Sequence, residues 1–336
     1  MFEIGTLTFA RPLEGAAMAA ESEGLGFDFQ VFGVNDCQTT DVFTELRMAV
    51  ESTTAIRLGC CVVNFLTRHP CVVASAIGAI QLASGGRAIC GVGKGDSAVG
   101  RIGLRPQRHA AFARDLQMLQ AYLKGETTVA NGSDSSLGWL SKTAYTKVPV
   151  EVAGTGPKTL ALAGAHADRI SLAVGADPGR IDQALGIVRD AAAAAGRAPS
   201  EITIGAHIPV RIHESRETAI EMLRPDVVGW AHMASFDAAQ IETHEPILKK
   251  VTSAVHEVYS YDHHGYEESK TSPARHLADD AFVDYYGVAG PPAYVIERLC
   301  GLIDKGLSFF TVVGEGEQKL RVAKELLPAL REHAKA

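Results

Sequence analysis

Two glycine-rich segments carry the residue types and spacing best suited to binding chemistry. Residues 91–98 read GVGKGDSA and follow a predicted strand, and residues 153–158 read AGTGPK and lead directly into a predicted helix. Glycines leave backbone N–H groups accessible to an anion, Lys94 adds a positive charge, and the first turn of a helix favours negative charge. The two segments predict a site for a phosphorylated cofactor. The alternative is that both segments simply connect strands to helices.

The elements that must position these segments alternate between short β-rich runs and longer helical patterns. Strands are predicted at 4–9, 29–32, 56–63, 88–92, 150–153, 169–172, 202–210 and 309–313. Helices are predicted at 13–22, 41–52, 70–83, 108–123, 157–164, 180–195, 214–223 and 292–305, with a last helix near 318–332. Eight strand–helix pairs in 336 residues predict an α/β fold, a (β/α)8 TIM barrel that forms a single domain over 1–336. In such a barrel the site lies at the carboxyl ends of the strands.

Two segments interrupt the alternation. The segment at about 125–148 is polar and turn-rich, so we expect an irregular or hairpin insertion after the fourth helix. A longer insertion at about 225–290 follows the seventh strand and is rich in His and Tyr. Long insertions of this kind commonly form lids or oligomer contacts. From this one, Tyr261, Arg275 and His276 are candidates to reach a substrate.

Composition excludes several classes of protein. The chain has 46% hydrophobic and 21% charged residues and a formal charge of −7, which argues against a nucleic-acid surface. Apolar runs are too short to cross a bilayer, and the chain opens on a strand rather than on a leader, so we expect a cytoplasmic protein without membrane contact. The six cysteines lack Cys-x-x-Cys spacing, which argues against a disulfide framework or a zinc site.

The twelve histidines raise the alternative of a metal centre. Metal-dependent hydrolase barrels usually place a His-x-His pair at the end of the first strand, and residues 6–10 read TLTFA. We therefore expect no metal.

The order of several short motifs resembles the bacterial luciferase-like superfamily, and within it the branch that uses the deazaflavin coenzyme F420. That branch includes methylenetetrahydromethanopterin reductase and F420-dependent glucose-6-phosphate dehydrogenase. The motifs lie at 26–28 (GFD), 56–59 (IRLG), 64–70 (NFLTRHP), 91–96 (GVGKGD), 153–158 (AGTGPK), 163–168, 290–292 (GPP) and 306–314. The resemblance covers most of the barrel but not the insertion at 225–290.

The resemblance implies a flavin-type ring held over the mouth of the barrel. It places a non-prolyl cis peptide behind the ring at Cys61–Val62, and Asn64 and Thr67 near the ring edge. It assigns the phosphate and ribityl chain of the cofactor to the two glycine segments. The implied cofactor-binding residues there are Gly93, Lys94, Gly95, Asp96, Ser97, Ala153, Gly154, Thr155, Gly156 and Pro157.

Candidate catalytic residues also follow from the resemblance. Asp96 stands where the glucose-6-phosphate dehydrogenase carries a catalytic glutamate, so it is expected to donate a proton or to orient the substrate; the alternative is a solvated aspartate beside Lys94. Many relatives carry Asp-His after the second strand, whereas this chain has Asn35 and Asp36. That difference argues against sugar-phosphate chemistry, and Asn35 and Asp36 remain candidates to hydrogen-bond the ring or the substrate.

The sequence thus favours an oxidoreductase that transfers a hydride between coenzyme F420 and a small organic substrate. One alternative is an FMN-dependent monooxygenase of the same superfamily, and a second is a non-catalytic flavin-binding barrel. As in relatives, the helices at 41–52 and 70–83 are expected to form the interface of a homodimer or higher homo-oligomer.

Overall fold

The computed structural model describes residues 2–9, 11–234, 241, 244–264 and 269–335. Eight parallel strands form a closed barrel, in which each strand pairs with the next one along the chain and the eighth pairs with the first. The barrel strands are Glu3–Thr8, Phe29–Gly33, Arg57–Val63, Ala88–Val92, Val150–Gly154, Arg169–Leu172, Thr203–Ile208 and Phe309–Val313. The predicted TIM barrel is confirmed, and each predicted strand overlaps an observed one.

Helices surround the barrel and bury their apolar faces against its strands. The longer ones are Gly15–Gly24, Val42–Ser52, Pro70–Ala83, His109–Leu123, Pro157–His166, Pro178–Ala194, Arg216–Met233, Pro246–Val258 and Pro292–Ile303. Shorter helices are Ser97–Gly100, Asp280–Tyr286, Gly316–Arg321 and Leu327–His333, the last two joined by a π-helical turn at Val322–Leu326. Several helices begin with proline, which lacks the N–H that the first turn leaves unpaired.

The structure corrects the predicted elements around residues 209–225. The seventh strand ends before Pro209, and the chain resumes as the short strand Val210–Ile212, which pairs with Val288–Gly290. The predicted helix 214–223 runs instead over Arg216–Met233 and contains Pro225. A proline inside a helix costs about 3 kcal/mol. This one persists because apolar residues continue past it and are buried against the insertion.

Both insertions have regular structure. The segment at 125–148 contains an antiparallel hairpin of Thr128–Ala130 and Ser133–Ser135, turned by Asn131 and Gly132 with positive φ. In the longer insertion, helices Pro246–Val258 and Asp280–Tyr286 pack on helix Arg216–Met233 and form a second apolar core. Within the described residues, no helix is both long and apolar enough to span a membrane.

A buried ion network closes the amino-terminal end of the barrel. Arg169 donates to Glu3 at 3.0 Å and to Glu151 at 2.9 Å, and its guanidinium lies 4.1 Å from the Phe309 ring centroid. Phe309 in turn packs edge-on against Phe29. Because side chains fill this end, a ligand has access only to the carboxyl ends of the strands.

Candidate active site

A cavity of about 530 Å³ opens at the carboxyl ends of the barrel strands. Strand ends and the loops after them supply one part of its wall, including residues of both glycine segments. The insertion supplies the other part through Asp226, Trp230, Met233, Tyr259 and His264. A cavity of this size and position is typical of a cofactor or substrate site.

The third strand bulges into the cavity at a cis peptide bond between Cys61 and Val62. The cis bond is as the resemblance implies, and both residues line the cavity. The bulge also explains two glycines of the neighbouring strand and loop. A Cβ at position 91 would overlap the Cys60 carbonyl oxygen, and one at Gly93 would lie 2.7 Å from Val62 Cγ2. Close approach of the backbone therefore requires glycine at 91, whatever this position binds, whereas a Cβ at 93 would require only that the Val62 side chain move.

Asn64 presents a buried donor at the cavity wall. Its Oδ1 accepts hydrogen bonds from the backbone N–H groups of Leu66 (3.1 Å) and Thr67 (3.0 Å) and from the Thr67 hydroxyl (3.2 Å). Its Nδ2 is buried and has no hydrogen-bond partner. A buried donor without a partner costs about 1–3 kcal/mol. A ligand acceptor is the natural partner for Asn64. Thr67 orients Asn64 and does not itself line the cavity.

Cations gather at one side of the cavity mouth. Lys94, Arg105 and Arg108 line it, and burial together with the charge of Lys158 lowers the pKa of Lys94. Burial and the charges of Lys94 and Lys158 lower the pKa of His109. No ion pair among the residues that the structure describes includes Lys94, Lys158, Arg105 or Arg108. Like charges held together without counter-ions favour binding of a polyanion.

The second glycine segment lies beside these cations. Ala153, Gly154, Thr155 and Gly156 line the cavity, together with Thr159 of the following helix. Pro157 starts that helix and lies outside the lining. The structure thus brings the two glycine segments to one cavity, as the sequence predicts. It brings Ser97 there as well.

Asp96 lies in the cavity wall and is held by two residues of the insertion. Its Oδ1 accepts hydrogen bonds from Tyr261 Oη at 3.1 Å and from His232 Nε2 at 3.2 Å. Burial opposes ionisation of Asp96, but these hydrogen bonds and the positive charges of His264 and His232 outweigh it and lower its pKa. A lowered pKa favours a carboxylate that orients a substrate over a proton donor. The alternative of a solvated loop aspartate is wrong, since the side chain is only 17% exposed.

Asn35 and Asp36 are not brought to the cavity. The Asn35 side chain orders its own turn, with Oδ1 accepting from the Cys37 N–H and Nδ2 donating to Gln38. Asp36 pairs with Arg68 at 3.0 Å. Asn35 thus bonds within the loop after the second strand, and Asp36 pairs with the loop after the third strand. The structure therefore gives no support to a catalytic role for either.

Two further groups line the cavity that sequence reasoning did not find. His207, at the end of the seventh strand, lies 3.5 Å from Cys61 Sγ, and its Nδ1 is buried without a hydrogen-bond partner. Burial lowers the pKa of His207 and raises that of Cys61 well above its usual range, so both are neutral. Asp226 pairs with Arg211 at 2.5 Å, although burial still raises its pKa.

The histidines and tyrosines of the insertion divide between cavity and surface. His263 and His264 line the cavity, and Tyr261 reaches it through Asp96. Arg275 and His276 lie outside the cavity, which gives no support to the prediction that they reach a substrate. In the part of the chain that the structure describes, no group of three His, Cys, Asp or Glu side chains is arranged to hold a metal ion.

The family model described as luciferase-like monooxygenase matches residues 5–308. The chain therefore belongs to this family of oxidoreductases.

Individual relatives match nearly the whole chain. The 5,10-methylenetetrahydromethanopterin reductase of Methanopyrus kandleri is 26% identical over 98% of this chain and 99% of its own. The F420-dependent glucose-6-phosphate dehydrogenase of Microbacterium testaceum is 24% identical over 78% of this chain and 74% of its own. A solved F420-dependent secondary alcohol dehydrogenase, in complex with an F420-acetone adduct, has a TM-score of 0.77 and 18% identity over 98% of this chain and 99% of that one.

Proposed function

We propose that this protein transfers a hydride between coenzyme F420 and a small organic substrate. The observation that carries the proposal is the set of cations Lys94, Arg105 and Arg108 that line the cavity, with the charge of Lys158 acting on Lys94, all four without an ion pair within the described residues. F420 carries a phosphate and a chain of glutamates, so it is far more anionic than FMN. The relative named as an F420-dependent glucose-6-phosphate dehydrogenase, which matches most of the chain, supports the same cofactor.

The residues at the cavity fit such a cofactor. Asn64 Nδ2 offers a buried donor for a polar ring edge, and Cys61 and Val62 present an apolar wall behind it. The glycine turn at 153–156 and the start of helix Pro157–His166 offer backbone N–H groups to a phosphate. When bound, F420 supplies the ring carbon that donates or accepts the hydride.

The residues of the chain orient the cofactor and the substrate, and Asp96 supplies a negative charge at a defined position. Holding two reactants in the reactive geometry can lower a barrier by about 7–11 kcal/mol. The insertion forms part of the cavity wall, and two of its residues hold the Asp96 carboxylate there. We assign the cofactor to the basic side and the substrate to the side of the insertion. The protein then holds the two against each other.

Titration of the purified protein with F420 and, separately, with FMN tests the proposal. Quenching of cofactor fluorescence gives the affinities, and we expect F420 to bind at least about tenfold more tightly than FMN. Preference for FMN would move the protein to the monooxygenase alternative. Binding of F420 without turnover of any reducible or oxidisable substrate would favour a non-catalytic barrel.

We also propose that copies of the chain associate as a homodimer. Helix Pro70–Ala83 leaves Val72 55% and Leu82 39% exposed, which is apolar surface that a second copy would bury. Sedimentation velocity of the wild type and of Val72→Asp checks this: the variant is expected to dissociate. A wild-type monomer at all concentrations would contradict it. A location in the cytoplasm stays a prediction from the sequence.

A further inference from the structure

The carboxylate of Asp96 is built into a three-residue arrangement that joins the barrel to the insertion. Asp96 follows the fourth strand, His232 lies at the end of helix Arg216–Met233, and Tyr261 lies in the short helix Tyr261–His263. Both partners donate to the same oxygen, Oδ1, at 3.2 and 3.1 Å. Two donors on one oxygen fix the plane of a carboxylate as well as its position.

The two donors are themselves held in place by ring packing. His232 stacks on Tyr259 with ring centroids 3.7 Å apart and 7° between the planes, and Tyr261 meets both rings edge-on. Gly100 makes room for Tyr261, because a Cβ at position 100 would overlap the Tyr261 ring. The barrel loop and the insertion are therefore shaped to fit each other at this point.

The second oxygen of the carboxylate has no partner. Asp96 Oδ2 is buried and accepts no hydrogen bond, and in the described part of the chain no Lys or Arg forms an ion pair with Asp96. Asp226, the other carboxyl in the cavity wall, pairs with an arginine, Arg211, rather than with a histidine and a tyrosine. A buried carboxylate oxygen without a donor is costly, and a ligand that supplies a donor or a positive charge removes the cost.

We propose that His232 and Tyr261 are positioning residues that hold the Asp96 carboxylate at the cavity wall, where it recognises a positively charged or hydrogen-bond-donating substrate group. The proposal rests on the proposed function, because it names the chemistry at the substrate side of that site. An anionic substrate group is disfavoured there, since its charge would repel the buried Asp96 carboxylate. A phosphorylated sugar therefore does not match Asp96.

Two small planar ligands that share one ring test whether Asp96 recognises a positively charged group. 1-Methylnicotinamide is a cation and nicotinamide is neutral, and isothermal titration calorimetry gives the affinity of each for the F420-loaded and the free protein. We expect the cation to bind more tightly, and Asp96→Asn to lower its affinity about tenfold or more while changing the neutral probe by less than about threefold. Absence of cation binding, or equal loss for both probes, overturns the recognition.

Paired variants separate positioning from packing. His232→Phe keeps a ring on Tyr259 but removes the donor, whereas His232→Gln keeps a donor and removes the ring; Tyr261→Phe removes only the hydroxyl. Loss of the cation preference by about three- to tenfold in H232F and Y261F, with the preference retained in H232Q, supports the proposal. Loss in H232Q with retention in H232F assigns His232 to packing and overturns it. His256→Phe, at an exposed position, and Tyr294→Phe, outside the cavity, serve as matched controls.

Different results would contradict the proposed F420-dependent function and the proposed positioning of Asp96. If F420 does not bind, the proposed function falls, while the ratio of the two probes on the free protein still decides the role of Asp96, His232 and Tyr261. If F420 binds and the probe ratio does not respond to the variants, the positioning proposal alone falls.

Discussion

Lys94 offers the sharpest test of how the cofactor is held. It lines the cavity half-buried, without an ion-pair partner among the described residues, and burial together with the charge of Lys158 lowers its pKa. A hydrogen bond to a charged group contributes about 1.5–3 kcal/mol when it is shielded from water. Lys94→Met should therefore weaken F420 binding about ten- to hundredfold. Arg105 and Arg108 are exposed, and each should contribute about 0.2–1 kcal/mol, which salt diminishes.

The assay compares two ligands that share one ring system. Fluorescence titration gives the affinity for F420 and for its ribityl chromophore, which lacks the phosphate and the glutamates. K94M should change chromophore affinity by less than about threefold while F420 affinity falls, because only the tail carries the phosphate and the glutamate carboxylates. Lys142→Met removes a charge at an exposed position of the first insertion and is expected to change neither. Equal losses for both ligands would refute the assignment of Lys94 to the tail.

Two further predictions concern the fold that positions the site. Gly91→Ala should destabilise the protein by about 1–3 kcal/mol in urea unfolding, since a Cβ there overlaps the Cys60 carbonyl; Gly186→Ala, in open space on a helix, should be neutral or stabilising. Equal unfolding midpoints for the two variants would contradict this reading of the bulge. Arg169→Met should cost about 3–5 kcal/mol at neutral pH by leaving the buried Glu151 charge uncompensated. Burial disfavours the Glu151 charge, but Arg169 keeps the pKa of Glu151 in the folded protein below its ordinary value. The charge pair therefore stabilises the protein above the unfolded-state pKa of Glu151. This stabilisation is lost only as pH falls through the lower folded-state pKa. The gap in stability between the wild type and R169M should therefore narrow once pH falls below the ordinary pKa of a glutamate, about 4.3, and a gap that stays constant down to about pH 3 would count against it.

The barrel could be predicted from sequence because its signals are local. Each strand is a short apolar run bounded by turn residues, and each helix carries its own periodic pattern. The error at Pro225 has the same origin: proline is a local stop signal, and only the apolar face that continues beyond it, buried against Phe282 and Val283, overrides that signal. Pairing of Val210–Ile212 with Val288–Gly290 joins segments far apart in sequence, which no local pattern encodes.

The residues of the candidate site also differ in whether a local pattern in the sequence predicts them. Residues that follow barrel strands, such as Asn64, Lys94 and Gly154, could be predicted because a TIM barrel brings all strand ends to one rim. Asn35 also follows a strand, yet its side chain turns back into its own loop, which depends on local hydrogen bonds that strand position does not determine. His232 gives no sequence signal, because its contact with Asp96 spans 136 positions of the chain.

The division between barrel and insertion also has a functional consequence. Groups that suit the cofactor, including the cations, the glycine turns and Asn64, belong to the barrel, whereas most of the aromatic and histidine side chains of the cavity belong to the insertion. Asp96 connects the two parts, since it is a barrel residue whose orientation is set by His232 and Tyr261. Changes in the insertion can then alter substrate choice while the cofactor site stays intact, because the barrel and the insertion each bury an apolar core of their own. We therefore expect substrate specificity to depend less on which residues follow the strands than on which side chains the insertion brings to Asp96.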